Sequence, residues 1–319
     1  MSCPVIPFPI ADGFVALERR ISRWRAEIGA PGWVDTVWPD LLGTLRLLRA
    51  QVSDPEWTAL RGALRGSEIA ALALEDPLTR WSWERPRGLP ACAGMLDMAY
   101  GHSSQRTRIA AATALGRDVH GAVYVAPSLL AVRERLGVFR RMVAKTVANV
   151  ADASVLSIGA GHLRAAEQLG GKSPSRWVAL EADPLAIPEL ARHAGVEPTH
   201  TSLAQFMARP RRLGSFDLVC CAGLYDRLDA PTARRLTAAG FAALRPGGRL
   251  VVANFAAEQA DAGYLDVFMD WRPGWRNEAD MAALSANLPG AAPIRHFRQD
   301  GAVIYTVVGK PANPLRRAA

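Results

Sequence analysis

Two glycines and an acid, about twenty residues apart, are the residues of this chain best suited to bind a nucleoside. Gly159 and Gly161 follow the apolar run 154–158, and Glu181 ends the next apolar run, 176–180. A glycine lets the backbone approach a ligand without a Cβ in between, and an acid at the tip of the next strand can accept hydrogen bonds from ribose hydroxyls. We therefore expect an adenosine-type ligand, held by Gly159, Ala160, Gly161, Glu181 and Ala182.

The third glycine of a dinucleotide-binding fingerprint is missing. Arg164 stands at that position, and the chain contains no G-x-x-x-x-G-K-[ST] sequence that would cradle a phosphate. A looser glycine turn with an acid on the second strand suits S-adenosylmethionine, which has a ribose but no phosphate. The pattern predicts this cofactor. One alternative stays open, namely a glycine turn with no ligand, because short glycine turns also close ordinary helix–strand junctions.

The second half of the chain alternates predicted strands with helices, which is typical of a parallel sheet covered by helices on both faces. A helix is predicted between the glycine turn and the second strand. The last two strands are joined by the short link 299–301, which predicts an antiparallel pair at the end of the chain. The predicted strands are 154–158, 176–180, 216–220, 249–254, 293–298 and 302–308, with a weaker one at 196–199.

The first half of the chain has a helical pattern. Apolar residues recur every three or four positions, as in the stripe Leu41, Leu45 and Leu48. A further helix is predicted from about Ser128 to Val147, and its charged residues, Arg135 among them, are assigned to a solvated surface.

Composition excludes several classes of function. The chain has 319 residues, half of them apolar, and a net charge of +8, but no recognised nucleic-acid motif accompanies this charge. The cysteines Cys3, Cys92, Cys220 and Cys221 show no zinc spacing, and the last two are expected to be buried thiols. No apolar stretch reaches the roughly eighteen residues of a membrane span, and the N-terminus does not resemble a secretory signal. We expect a cytoplasmic protein without metal, nucleic-acid partner or membrane span.

Two segments resemble the fourth and fifth strands of class I S-adenosylmethionine-dependent methyltransferases: Phe-Asp-Leu-Val at 216–219 and Leu-Arg-Pro-Gly-Gly-Arg-Leu-Val-Val at 244–252. The resemblance implies a Rossmann-like α/β fold, with a seven-stranded, mostly parallel sheet that ends in an antiparallel hairpin. It also implies an N-terminal helical lid or substrate domain at 1–148, a cofactor-binding domain at 149–310 and a flexible tail at 311–319.

Further segments are similar to the bacterial group of extracellular-factor 3-hydroxypalmitic acid methyl ester biosynthesis proteins. They are Asp-Pro-Leu-Thr-Arg at 76–80, Arg-Pro-Arg-Gly at 85–88, Met-Leu-Asp at 95–97, Gly-His-Leu-Arg at 161–164, Ala-Gly-Leu-Tyr-Asp at 222–226 and Phe-Met-Asp-Trp at 268–271. Two segments and one residue depart from the related proteins. Leu-Pro-Ala-Cys stands at 89–92 where the group has an acid, 272–276 differs as well, and Ser157 replaces an acid common in class I enzymes.

The resemblance also implies roles for individual residues. Ser202 and Leu203 would flank the adenine, and Ala222 and Gly223 would lie beneath the reacting centre. The candidate catalytic residues are His162, Tyr225 and Asn254, although His162 could instead bond local backbone and Tyr225 could belong to the core. Residues that could form an acceptor pocket or lid are Tyr100, Arg106, Tyr264, Trp271 and Arg276.

The expected reaction is methyl transfer to a small molecule, because an in-line displacement mainly requires alignment and exclusion of water. The sequence has no obvious His/Asp base pair, which favours a carboxylate acceptor such as a hydroxy-fatty acid or another specialised metabolite. Two alternatives stay open: transfer or cyclisation of the 3-amino-3-carboxypropyl group with release of methylthioadenosine, and a non-catalytic cofactor-binding protein. Methylation of a nucleic-acid base is disfavoured, since Cys-Cys-Ala-Gly stands at 220–223 in place of Asn/Asp-Pro-Pro-aromatic. No oligomeric state is predicted.

Overall fold

The computed structural model describes residues 10–169, 173–256, 259–290, 292–299 and 302–312. The described chain divides into two compact units. The helical unit comprises the described residues up to Leu129 together with Ala260–Arg272, and the sheet unit comprises Leu130–Gln259 together with the described residues from Pro273 onward. The predicted N-terminal domain ended at residue 148, whereas the first segment of the helical unit ends at Leu129 and the unit also includes Ala260–Arg272. Cys3 and most of the predicted tail lie outside the described residues.

The α-helices of the two units are numbered here in chain order. They are α1 (Ile10–Glu27), α2 (Trp33–Gln51), α3 (Asp54–Arg65), α4 (Glu68–Ala73), α5 (Pro77–Glu84), α6 (Ala93–Ala99), α7 (Arg106–Ala110), α8 (Ala114–Tyr124), α9 (Pro127–Asn149), α10 (Ile187–Leu190), α11 (Leu203–Ala208), α12 (Ala230–Ala242), α13 (Ala262–Phe268) and α14 (Glu278–Ala283).

The helical unit forms where the apolar spacing predicted helices. The stripe of α2 is buried at Leu41, Leu45 and Leu48. In α3 a capping box between Ser53 and Glu56 satisfies backbone N–H groups at the start of the helix. The buried face therefore positions α2, and local capping fixes the start of α3.

The sheet has seven strands in the order β3-β2-β1-β4-β5-β7-β6. Strands β1 to β5 run parallel, and β7 pairs antiparallel with both β5 and β6. This confirms the predicted Rossmann-like sheet with its terminal antiparallel hairpin. The strands are β1 (Ser154–Ile158), β2 (Arg176–Glu181), β3 (Val196–His200), β4 (Phe216–Cys221), β5 (Leu244–Phe255), β6 (Ala292–Gln299) and β7 (Val303–Gly309).

Burial of the central strands explains their near-continuous apolar sequences. Every residue of β1 is buried, as expected for a parallel strand covered on both faces. At the end of β4, Cys220 and Cys221 are buried as predicted. Burial raises the pKa of the Cys221 thiol to about 12, so this thiol is protonated at neutral pH.

Two local predictions are wrong. The segment between β1 and β2 forms a short 3₁₀ helix, Arg164–Gln168, in place of the predicted helix, and the preceding residue Leu163 has a left-handed backbone with φ 49°. Arg135 on α9 is 5 % exposed and not part of a solvated surface, because its charge is paired with Asp226 within the sheet unit.

Candidate functional site

Strands β1 and β4 are neighbours at the point where the strand order reverses. From β1 the chain proceeds to β2 and β3 on one side, whereas β4 leads to β5 on the other. In open α/β sheets of this kind, ligands bind in the crevice outside the carboxyl ends of the strands at this switch point. The loops that follow β1, β2 and β4 in the sheet unit therefore form the candidate site.

The loop after β1 is a glycine turn with left-handed backbone. Gly159 and Gly161 have φ values of 62° and 56°, a region that residues with a Cβ rarely adopt. A Cβ on Gly159 would also lie 3.4 Å from the Cβ of Leu224, in the loop after β4. The backbone conformation therefore favours glycine at position 159, whereas the approach of Leu224 is an ordinary van der Waals contact.

Glu181 ties this glycine turn to the end of β2. Its Oε2 accepts a hydrogen bond from the Gly161 N–H at 2.7 Å. Its Oε1 accepts from the N–H groups of Ala182 and Asp183 at 2.8 and 2.9 Å. The carboxylate thus stands at the carboxyl edge of the sheet, as predicted, and it also organises the loops on which it would bind a ligand.

The neighbouring polar residues cap helical turns. Asp183 accepts a hydrogen bond from the Leu185 N–H at 2.9 Å and so caps the helical turn that follows. Ser202 forms a capping box with Gln205 at the start of α11, and Leu203 is the first residue of that helix. The predicted adenine contacts of Ser202 and Leu203 stay a prediction.

His162 is buried beside Arg164 at the end of the glycine turn. An Arg164 Nη2 group lies 3.4 Å from His162 Nδ1, and the His162 carbonyl accepts from His193 Nε2 at 2.8 Å. Arg164 also pairs with Glu167 and Glu189, at 2.6 and 2.8 Å. Partial burial opposes ionisation of Glu189, but the hydrogen bond and charge of Arg164 outweigh it and lower the Glu189 pKa. The surroundings of His162 are thus a local ion-pair cluster, and its catalytic role stays a prediction.

Ser157 has a structural partner. Its Oγ accepts a hydrogen bond from the indole N–H of Trp177 on β2 at 2.9 Å, and both side chains are buried. The serine therefore serves the packing of β1 against β2 at the position where many class I enzymes carry an acid.

A buried ion pair lies at the ends of β4 and β5. Arg135 Nη1 is 2.6 Å from Asp226 Oδ2, and Asp226 Oδ1 accepts from the Phe255 N–H at 2.8 Å. The Arg135 guanidinium lies 4.6 Å from the centre of the Phe255 ring. A Cβ on Gly223 would be 3.9 Å from Arg135 Nη2. The structure therefore places a buried cation beside the loop after β4.

Three of the predicted site residues meet in a second buried network. Arg276 donates to the side-chain oxygen of Asn254 and, at 2.7 Å, to the Tyr225 carbonyl. Asn254 Nδ2 donates to the carbonyls of Phe255 and Gly274 at 2.8 and 2.6 Å. The Tyr225 hydroxyl lies 2.8 Å from Thr237 Oγ1 in the core, and burial raises its pKa. These contacts hold the loop after β4 against 273–276, and a direct catalytic role for Tyr225 or Asn254 stays a prediction.

Four other predicted site residues belong to the helical unit. Tyr264 is 2 % exposed and bonds Thr79 Oγ1 at 3.0 Å, and Trp271 is also buried. Tyr100 directly follows α6, and Arg106 begins α7 with an exposed side chain. Their predicted role in binding an acceptor stays a prediction.

Sequence reasoning missed two buried pairs. Arg135 continues the apolar stripe of α9, three residues after Val132 and four before Phe139, so helical spacing alone could have placed it on the buried face. The expectation that the chain lacks a His/Asp pair is wrong, since His120 Nδ1 lies 2.8 Å from Asp76 Oδ1 in the helical unit. A separation of 44 residues hides this pair from inspection of the sequence.

No protein-family model matches the chain, and no curated protein shows significant similarity to it. Among solved structures, it is similar to a possible exported protein from Bordetella parapertussis, with 19 % identity, a TM-score of 0.58, and coverage of 91 % of this chain and 97 % of that one.

Two further solved structures are methyltransferases. An O-methyltransferase family protein from Burkholderia thailandensis is 16 % identical, with a TM-score of 0.44 over 66 % of this chain and 63 % of that one. Magnesium protoporphyrin IX methyltransferase from Synechocystis is 14 % identical, with a TM-score of 0.41 over 58 % of this chain and 85 % of that one.

At these identities, the likeness to the Bordetella protein supports the fold and not a reaction. Within the described ranges, no helix combines the length and hydropathy that spanning a bilayer requires. A cytoplasmic location stays a prediction.

Proposed function

We propose that the sheet unit binds S-adenosylmethionine and transfers its methyl group to a small molecule. The observation that carries this proposal is the hydrogen bond between the Gly161 N–H and Glu181 Oε2 at the switch point of the sheet. It joins a glycine turn to an acid at the tip of the next strand, the two features by which such sheets hold a nucleoside.

The residues present fit the adenosyl part of this cofactor. Each carboxylate oxygen can accept about two hydrogen bonds, so Glu181 Oε2 can take a ribose hydroxyl in addition to the Gly161 N–H. Gly159 leaves the backbone open to a ligand. Arg164, which replaces the third glycine of a dinucleotide site, is held by Glu167 and Glu189. This supports a ligand that contains ribose but no pyrophosphate.

Arg135 suits the amino-acid end of the cofactor. A guanidinium carries five N–H donors, so it can hold Asp226 and a second carboxylate at the same time. The short distance between Arg135 and the Cβ position of Gly223 brings this cation to the loop after β4. We propose that Arg135 binds the methionine carboxylate and that Asp226 is a positioning residue, which holds both Arg135 and the end of β5.

The protein's part in the reaction is alignment. The sulfonium of the cofactor makes its methyl carbon electrophilic, so the chain has to orient an acceptor and exclude water. We propose that Ala222 and Gly223 line the reacting centre, and that Asn254 and Arg276 keep their loop in place through their buried hydrogen bonds. The neutral, core-bonded Tyr225 hydroxyl is poorly suited to accept a proton.

A carboxylate is the acceptor that this arrangement favours, because it is ionised at neutral pH and needs no general base. The carboxyl group of a hydroxy-fatty acid or another specialised metabolite is therefore our proposed acceptor. The resemblance of several segments to the 3-hydroxypalmitic acid methyl ester biosynthesis group supports the same choice.

The test has two steps. Isothermal titration with S-adenosylmethionine and S-adenosylhomocysteine measures binding, and absence of heat for both would overturn the proposal. The protein is then incubated with methyl-labelled cofactor and a panel of hydroxy-fatty acids, other carboxylic acids and phenols. We expect a labelled methyl ester and S-adenosylhomocysteine.

Other products would point elsewhere. Release of methylthioadenosine would show that the aminocarboxypropyl group of the cofactor reacts, and not its methyl group. Binding without turnover, on this panel and on a cell extract, would indicate a non-catalytic cofactor-binding protein. The E181Q variant should weaken cofactor binding and lower turnover together.

A further inference from the structure

The helical unit contains a buried aspartate–histidine pair that the proposed methyl transfer does not use. Asp76 is fully buried at the start of α5, where its carboxylate accepts hydrogen bonds from the N–H groups of Leu78 and Thr79 at 3.0 and 2.9 Å. The same carboxylate lies 2.8 Å from Nδ1 of His120, which extends from α8. Capping fixes Asp76 in position, and Asp76 in turn orients the imidazole.

The contacts of the pair determine where the imidazole can accept a proton. A carboxylate can only accept, so Nδ1 of His120 carries the hydrogen of this bond and the neutral ring offers Nε2 as an acceptor. Among the residues that the structure describes, Nε2 has no hydrogen-bond partner, although His120 is only 8 % exposed. This nitrogen is not among the fully buried side-chain atoms that lack a partner, so it keeps solvent-accessible surface and a donor from outside the chain can reach it.

The groups around His120 hold its ring in place. The charged side chain in contact with His120 is Asp76, and the Tyr124 ring lies 6.0 Å away, centre to centre. Thr79 Oγ1 donates to the second oxygen of Asp76 at 2.7 Å and also contacts the Tyr264 hydroxyl at 3.0 Å. Burial raises the pKa of Tyr264, so it remains neutral. Asp76 and its hydrogen bonds therefore hold the imidazole in one orientation, with Nε2 as the ring atom that can accept a hydrogen bond.

We propose that the helical unit binds an acidic hydroxyl compound, a phenol or an enol, whose O–H group donates to Nε2 of His120. The proton moves from the ligand oxygen to Nε2, and the oxygen keeps its electron pair as a phenolate or enolate beside the imidazolium. An aliphatic alcohol is too weak an acid for this transfer, whereas a carboxylic acid has already lost its proton at neutral pH. The inference holds whether or not a carboxylate accepts the methyl group.

The test uses para-nitrophenol as the probe, since its phenolate has a distinct visible absorbance. The full-length protein is titrated with the probe across a pH series, and the apparent pKa of the bound phenol is measured. We expect a fall of about one pKa unit on binding, a tenfold shift toward the phenolate. H120Q and D76N should lose this shift, because one lacks the imidazole and the other lacks the carboxylate that fixes its tautomer and orientation.

H102Q is the matched control, since it replaces another histidine of the helical unit outside the pair and should retain the shift. A wild-type protein that does not bind the probe, or an H120Q protein with an unchanged shift, would overturn the proposal. If H120Q and D76N fail to fold, imidazole ¹⁵N NMR of the wild-type protein decides. The Nε2 resonance of His120 must then move on addition of the probe, and a stationary resonance refutes the site.

Titration with S-adenosylhomocysteine in the same samples reports on the sheet unit. A failure of cofactor binding is therefore distinguishable from a failure of the phenol site.

Discussion

Replacing Glu181 by glutamine tests the link between the glycine turn and cofactor binding. Glutamine keeps the size of the side chain and can place its one carbonyl oxygen where Oε1 accepts from Ala182 and Asp183. Its amide NH₂ group then faces the Gly161 N–H, so two donors meet where a 2.7 Å hydrogen bond existed. The NH₂ group also cannot accept from the ribose hydroxyl that we propose Glu181 binds. A hydrogen bond to a charged group contributes about 1.5–3 kcal/mol, and loss of this bond to the ligand raises the Kd about 10- to 150-fold.

The assay is isothermal titration of wild-type protein, E181Q and D183N with S-adenosylhomocysteine. D183N is the control, because asparagine keeps the oxygen that caps Leu185 and Asp183 has no proposed ligand contact. We expect an increase of the Kd of about 10- to 150-fold for E181Q and an unchanged Kd for D183N. An unchanged Kd for E181Q, or an equal loss in both variants, would refute the reasoning.

Three further predictions concern stability. G159A should lower the unfolding free energy by about 1–2 kcal/mol, because alanine is strained at φ 62°. G43A inside α2 is the control: its new Cβ has no heavy atom within 4 Å, so it should raise the unfolding free energy by about 0.5–1 kcal/mol. Equal effects of the two variants in urea denaturation would contradict the strain at position 159. R135M should lower the unfolding free energy by about 3–5 kcal/mol in the same assay, since it leaves Asp226 buried without its cation. R49A, which breaks an exposed pair with Asp54, should change the unfolding free energy by no more than about 1 kcal/mol. A small effect of R135M would show that the buried pair is dispensable for stability. Partial burial raises the Glu189 pKa, but Arg164 outweighs this effect and lowers it below its ordinary value of 4.5. The Glu189 carboxylate therefore stabilises the fold above pH 4.5, and this stabilisation is lost as the pH falls through the lower folded-state pKa. E189Q should be less stable than the wild-type protein at neutral pH and should lose less stability on acidification; parallel stability–pH curves would exclude this role.

The sheet could be predicted closely because its signals are local. Apolar runs separated by turns identify the central strands, and the short link between β6 and β7 indicates their antiparallel pairing. The segment after the glycine turn shows where local signals fail. Arg-Ala-Ala-Glu-Gln at 164–168 has good helix propensity, yet only a 3₁₀ helix forms after the left-handed residue Leu163. Arg164 is drawn into its ion pair with Glu189, and such tertiary contacts override propensity.

The candidate site divides in the same way. Gly159, Gly161 and Glu181 could be identified because strand, turn and strand follow one another in the chain. Helical spacing could have placed Arg135 on the buried face of α9, but it could not identify the partner Asp226, which is 91 residues away. Tyr225 and Asn254 have residue types suited to catalysis, but the structure engages both in buried hydrogen bonds with core or backbone partners.

The sequence alone determined the class of fold, the edge of the sheet that carries the glycine turn, and the acid beside it, because each of these depends on a few neighbouring residues and on the alternation of apolar runs. Only the tertiary structure decided which partners the buried charged and polar side chains contact. Burial of Arg135 or His120 is favourable only when a distant aspartate compensates for lost hydration, and it is the folded chain that brings the two partners within hydrogen-bonding distance.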